Sequence, residues 1–154
     1  MSDKGLEYTY DTPEGYIEID PSHYEEVGLT GFVKESTLNF FVKVVNDNVV
    51  STLSMNRDAF LDEETTYESL LELNISNLKQ NGFEVSNMTE LKRNDGNRLT
   101  KCIVTNKKFK LISMFTTIGN LFTGASILAS DNGSEAVLEN FMKSIIQLLL
   151  LLFT

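Results

Sequence analysis

Between Phe83 and Ala129 the sequence leaves room for little besides a β-meander. Four segments of extended character follow one another there: Phe83 to Leu91, Arg98 to Thr105, Lys108 to Ile118 and Leu121 to Ala129. Asn94-Asp95-Gly96-Asn97 joins the first two, and its Asp-Gly pair is a strong hairpin signal. Asn106-Lys107 and Gly119-Asn120 supply the other two turns. Connections this short permit only antiparallel neighbours. One face of such a sheet must be covered, and the two helical patterns in the chain are the segments able to do it.

The first of those patterns is well marked. Thr65 and Glu68 have capping-box spacing, in which a hydroxyl and a carboxylate satisfy orphan amides at a helix start. Tyr67, Leu70, Leu71, Ile75 and Leu78 recur at three- and four-residue spacing and form one apolar stripe. Asn81-Gly82 ends the pattern, glycine entering the left-handed C-cap conformation without steric cost. Asp62, Glu63 and Glu64 sit where a helix dipole favours negative charge, and they lack the spaced ligands and turn glycine of a calcium loop.

A second helix is expected to begin within Asp131-Asn132-Gly133-Ser134. Its stripe runs through Val137, Leu138, Phe141, Ile145, Leu148, Leu149 and Leu152, and no charge follows Lys143. A helix that is apolar all round is buried all round or meets a partner. Upstream, both prolines, Pro13 and Pro21, mark turns around short extended pieces. Leu6 to Tyr10 and Tyr16 to Ile19, joined through Thr12-Pro13-Glu14-Gly15, read as an opening β-hairpin. Leu38 to Val45 and Val49 to Met55 read as two further strands around Asn46-Asp47-Asn48, residues that tolerate left-handed turn geometry. The expectation is one domain over 1–154, of α+β class, with an antiparallel sheet of about six strands flanked by two main helices.

Charge is unevenly spread. The formal net charge is −9, yet residues 1–72 hold 16 of the 22 acids and only 4 of the 13 bases. Seven bases cluster from Lys92 to Lys110: Lys92, Arg93, Arg98, Lys101, Lys107, Lys108 and Lys110. An acidic protein repels phosphate backbones, so nucleic acid is not the expected partner. The basic strip could meet an acidic protein, but it is read first as a solvated strand face that complements the chain's own acidic half.

Familiar catalytic motifs do not occur. Neither G-x-x-x-x-G-K-[ST], G-x-G-x-x-G nor G-x-S-x-G is present. The single histidine, His23, has no Ser or Cys partner in a triad arrangement and reads as an exposed loop residue. The single cysteine, Cys102, lies in a strand pattern and reads as a buried, inert thiol, which leaves no internal disulfide. Sequons at Asn74, Asn87 and Asn132 read as chance matches. No metal site and no cofactor are expected. No run of 18 apolar residues occurs, so no conventional membrane-spanning helix is expected. No basic-then-apolar leader opens the sequence, and the expected location is the cytoplasm, or the envelope if a leader was removed.

The order of elements resembles the PsbP-like superfold, which includes a Ran-binding nuclear transport factor, DcrB-type bacterial lipoproteins and DcrB-like secretion chaperones. Tyr10-Asp11-Thr12-Pro13-Glu14-Gly15-Tyr16 is similar to the opening aromatic–Pro–x–Gly–aromatic segment of bacterial members. The Tyr67–Gly82 helix running into Phe83-Glu84-Val85 resembles their helix–Gly–aromatic–strand junction, and Asp95-Gly96-Asn97-Arg98 their polar-Gly hairpin. Leu138 to Ile145 resembles their closing helix, with Phe141 and Ile145 facing the sheet. The resemblance implies α/β/α layers and no shared chemistry. Members bind proteins or sit at membranes, and secretion chaperones of this type shelter apolar helices of their clients.

Three functions follow as expectations. The first is a non-catalytic protein-binding module (adaptor, chaperone or immunity-type protein) or a homodimer. Its partner surface would be Leu148, Leu149, Leu152 and Phe153, joined by Phe40 and Val42 on the sheet; this apolar tail could also touch a membrane. The second is a small apolar-ligand or envelope-associated domain with a pocket near Phe109, Met114 and Phe115, residues that otherwise read as core. The third, a carboxylate enzyme, is disfavoured, because no acid pair stands out whose environments would split their pKa values.

Overall fold

The computed structural model describes residues 7–20, 37–129 and 132–147. In chain order the elements are β1 (Tyr8–Thr9), β2 (Ile17–Glu18), β3 (Thr37–Val45), β4 (Asn48–Phe60), α1 (Tyr67–Gln80), β5 (Glu84–Lys92), β6 (Arg98–Thr105), β7 (Lys110–Ile118), β8 (Leu121–Leu128), α2 (Ser134–Ser144) and β9 (Ile146–Gln147). Seven strands form one antiparallel sheet in the order β2-β3-β4-β8-β7-β6-β5. The meander from β5 to β8 is as its turns dictate, and β8 closes it onto the long strand β4.

Side chains alternate across a strand, so the sheet has two faces. On one, Phe41, Leu53, Met55, Leu99, Ile112, Met114 and Ile127 meet Leu138, Phe141, Met142 and Ile145 of α2 and its C-cap. The rings of Phe41 and Phe141 cross edge-to-face at 5.2 Å, and Tyr10 packs on both. On the other, Tyr67, Leu70 and Leu71 of α1 cover Cys102, Val104, Phe115 and Phe122. This produces the α/β/α layering.

The start of α1 is pinned by Tyr67. Its hydroxyl lies 2.7 Å from Thr100 Oγ1 and donates to the Phe115 carbonyl at 2.8 Å. Arg98 lies 4.1 Å above its ring and pairs with Glu68 and Glu90. The capping box sits one residue later than expected: Thr66 accepts from the Ser69 amide while Ser69 Oγ accepts from the Thr66 amide. Thr65 is instead held in a turn by the Asp62 carboxylate, which accepts the Glu64 and Thr65 amides. Those bonds hold Asp62 below the usual carboxylate range. Gly82, at φ +89°, supplies the stop after the helix.

Two expectations are corrected. The opening hairpin does not form. The Pro13–Gly15 turn exists, with the Tyr16 amide bonded to the Pro13 carbonyl, but its arms part company. β1 pairs with β9 and β2 with β3, which makes β2 the seventh strand of the main sheet. Two-residue strands gain too little from pairing with each other to resist the pull of Phe41 and Phe141 on Tyr10. The closing helix is also shorter than its apolar stripe. It stops at Ser144; Ile145 is extended, and Ile146–Gln147 pairs with Tyr8–Thr9. Ser144 Oγ donates to the Phe141 carbonyl and accepts the Asp11 amide, tying this end to the N-terminal segment. Gly133, which has no side chain to offer as a cap, is the N-cap of α2.

Candidate binding surfaces

Of the residues expected to meet a partner, Leu148, Leu149, Leu152 and Phe153 lie outside the described residues. Phe40 and Val42 are described, and they are buried at 1% and 4% exposure beside Ile19. They do not present a surface. The expected apolar pocket is not assembled either. Met114 belongs to the core under α2, Phe115 to the core under α1, and Phe109 is exposed at a turn, so the three never converge. His23 lies outside the described residues; Cys102 is buried, and burial pushes its thiol up to about 11.

The basic strip divides. Arg93 is buried and pairs with Asp95, and its guanidinium also donates to the Thr117 carbonyl at 2.7 Å. Arg98 is taken by Glu68 and Glu90, and Lys101 by Glu135 and Glu139 of α2. Lys107, Lys108 and Lys110 are exposed around Phe109 in the β6–β7 turn. Asn106 shapes that turn by accepting the Lys108 and Phe109 amides at 2.8 and 2.7 Å.

At the same end of the sheet the β3–β4 hairpin emerges. Its pairing with β8 ends at Leu53–Ile127, and the ladder then continues between β3 and β4 to Val45–Asn48. Asn46 and Asp47 make the turn at φ 51° and 65°. Val44, Val45, Val49 and Val50 on its two arms are 39–52% exposed. A valine pair on each side of a three-residue polar turn was visible in the sequence. What the sequence could not show is that the hairpin outlasts its neighbour and leaves the valines uncovered.

A second surface lies beside α1. In the centre of the sheet, register aligns Ser54, Ser126 and Ser113 directly across β4, β8 and β7. Ser113 and Ser126 share a hydrogen bond of 2.8 Å. The next row on this face is Asn56, Gly124 and Phe115. A Cβ on Gly124 would come within 3.1 Å of the Phe115 ring, so the glycine lets that ring lie against the sheet. A register shift between Arg57 and Ala59 brings both Arg57 and Asp58 to the rim. Asn74 of α1 closes the other side, donating to Asp58 at 2.6 Å and to the Leu70 carbonyl at 2.8 Å. The result is a polar trough of about 490 Å³. Nothing in the local sequence around these serines marks them; strand register alone brings them together.

Among the described residues no group of three His, Cys, Asp or Glu side chains is placed to hold a metal ion, and no helix is long and apolar enough to cross a membrane. No protein-family model and no curated protein matches the sequence. Among solved structures, the cyanobacterial PsbP (CyanoP) from Synechocystis sp. PCC 6803 is similar. It is 12% identical, the match covers 96% of this chain and 95% of that one, and the TM-score is 0.55. At that identity the likeness is one of architecture: the chain has a PsbP-like fold.

Proposed function

We propose that the chain is a non-catalytic binding module that holds a partner protein at the end of the sheet where the β3–β4 hairpin and the β6–β7 turn emerge. The observation that carries this reading is the exposed valine hairpin. Val44, Val45, Val49 and Val50 put apolar surface into water on an element whose ladder with β8 stops at Leu53, with Ser51 making a last bond to the Leu128 carbonyl. Phe109, 49% exposed, adds an aromatic side chain at the same end, and Lys107, Lys108 and Lys110 surround it. No acid occurs between Asp95 and Asp131, so this turn is a basic point on a chain of net charge −9. An apolar strip next to an acidic patch on the partner would complement both features. A second copy of this acidic chain is one such partner.

The test is a Val44→Asp/Val49→Asp variant, compared with wild type by sedimentation velocity over a wide concentration range and by cross-linking to co-purifying proteins. The hairpin is solvent-exposed, so the fold and the melting temperature are expected to persist while association is lost. Unchanged association in a folded variant would remove the hairpin from the binding surface.

A further inference from the structure

We infer that the trough beside α1 is a binding site for a neutral polyhydroxylated small molecule, a sugar or a polyol. The inference is independent of the hairpin and rests on what the central strands do with their two faces. On the α2 side, β4, β7 and β8 carry Leu53, Met55, Ile112, Met114, Ala125 and Ile127, every one buried. On the α1 side the interleaved positions are Ser54, Asn56, Ser113, Gly124 and Ser126, with Phe115 the one large apolar side chain among them. An ordinary cover would be an apolar helix, and it would cut off from water the donors and acceptors that the Ser113–Ser126 bond and the Thr37 hydroxyl donating to Asn56 Oδ1 leave over. Polar groups at the middle of a sheet face call for a polar occupant.

The lining specifies which kind. Serine hydroxyls and asparagine amides each donate and accept, as do the hydroxyls of a sugar. Asn74 spends Nδ2 on Asp58 and Leu70, which leaves Oδ1 as an acceptor, with the amide plane fixed by those two bonds. Arg57 and Asp58 contribute one charge of each sign at the rim, so the trough has no net preference for an anion or a cation. Phe115 and Leu78 supply a small apolar strip suited to the C–H face of a ring. A volume of about 490 Å³ falls within the range of small-molecule sites.

The experiment is an amide-resolved NMR titration of the full chain with glucose, trehalose and myo-inositol in turn, and with inorganic phosphate as the charged comparator. Saturable shifts are expected with at least one of the three neutral probes, confined to Ser54, Asn56, Asn74, Ser113, Gly124 and Ser126. A Ser113→Val/Ser126→Val variant is expected to weaken that binding about tenfold or more, the loss of one or two ligand hydrogen bonds. Asn74→Ala, on the exposed side of the trough, provides a second variant should the serine pair prove needed for folding, with the same loss expected. No saturable shift with any neutral probe overturns the inference. So do shifts unaffected in the folded variants, and so does a response to phosphate alone.

Discussion

The two faces of β4, β7 and β8 share one backbone and one hydrogen-bond ladder, yet they are built on opposite chemistry. Under α2 the rows read Leu53–Ile127–Ile112 and Met55–Ala125–Met114; under the edge of α1 they read Ser54–Ser126–Ser113 and Asn56–Gly124–Phe115. The first face is dry and closed by aromatic packing, whereas the second is open and hydrogen-bonded. The contrast teaches that at these central positions the apolar packing lies on the α2 side, while the α1 side gathers its apolar core around Tyr67, Cys102, Val104, Phe115 and Phe122 and carries polar side chains beside it.

That comparison can be broken most directly at Phe141, which is 1% exposed and packed against Phe41 and Tyr10. Phe141→Ala is expected to cost about 3–5 kcal/mol in urea unfolding, through lost burial and the cavity left behind. A loss below that of any trough substitution would reverse the assignment of the two faces. Next in size is Tyr67→Phe, which removes the hydroxyl between Thr100 and the Phe115 carbonyl. A cost of about 1–3 kcal/mol is expected, since a buried acceptor loses its donor. Thermal unfolding checks it, and a neutral outcome would mean that α1 is held by its apolar stripe alone.

Acid should loosen both sides of the sheet by a smaller amount. Arg98 holds Glu90 below the ordinary carboxylate range, and Lys143 does the same for Glu139. Burial pushes Asp95 up, but the bonds from Arg93 and the Asn97 amide more than reverse this and hold it low. Each folded-state pKa therefore lies below its unfolded value. The stabilisation is fully present above the unfolded carboxylate range of about 4, and is lost as pH falls through the lower folded values. All three groups are partly solvated, so the decline is shallow. Stability unchanged from neutral pH down to about 2 would show that these pairs contribute nothing. The smallest effect belongs to the trough. Ser113→Val/Ser126→Val replaces both partners of one hydrogen bond, and stability is expected to stay within about 0.5 kcal/mol of wild type. A large loss would mean that the trough is structural.

The elements that were legible in advance are those set by neighbours in the chain. Asp95-Gly96, Gly119-Asn120 and Asn81-Gly82 fix turns whose geometry few residues adopt, and Gly96, Gly119 and Gly82 all have positive φ. The Tyr67–Leu78 stripe fixes a helix and the face it buries. Capture of Arg98 by Glu68 is foreshadowed by the charge imbalance between the two halves, whereas Lys101 finds Glu135 and Glu139 within its own half. The candidate surfaces were less readable. Phe40 and Val42 look like a sheet face open to a partner and prove buried, while Val44 and Val49 look like ordinary strand residues and prove exposed.

By itself, then, the sequence determined the meander, the two helices and the layered class, because turn chemistry and hydrophobic period act over a few residues. Tertiary structure alone decided that the arms of the opening segment pair with β9 and β3, that the closing helix yields at Ile145, and that three serines distant in sequence share one row. Those outcomes depend on which strands meet and in what register. The packing of Tyr10 on Phe41 and Phe141, which joins the opening segment to β3 and α2, is a contact of this kind, and no local window contains its energy.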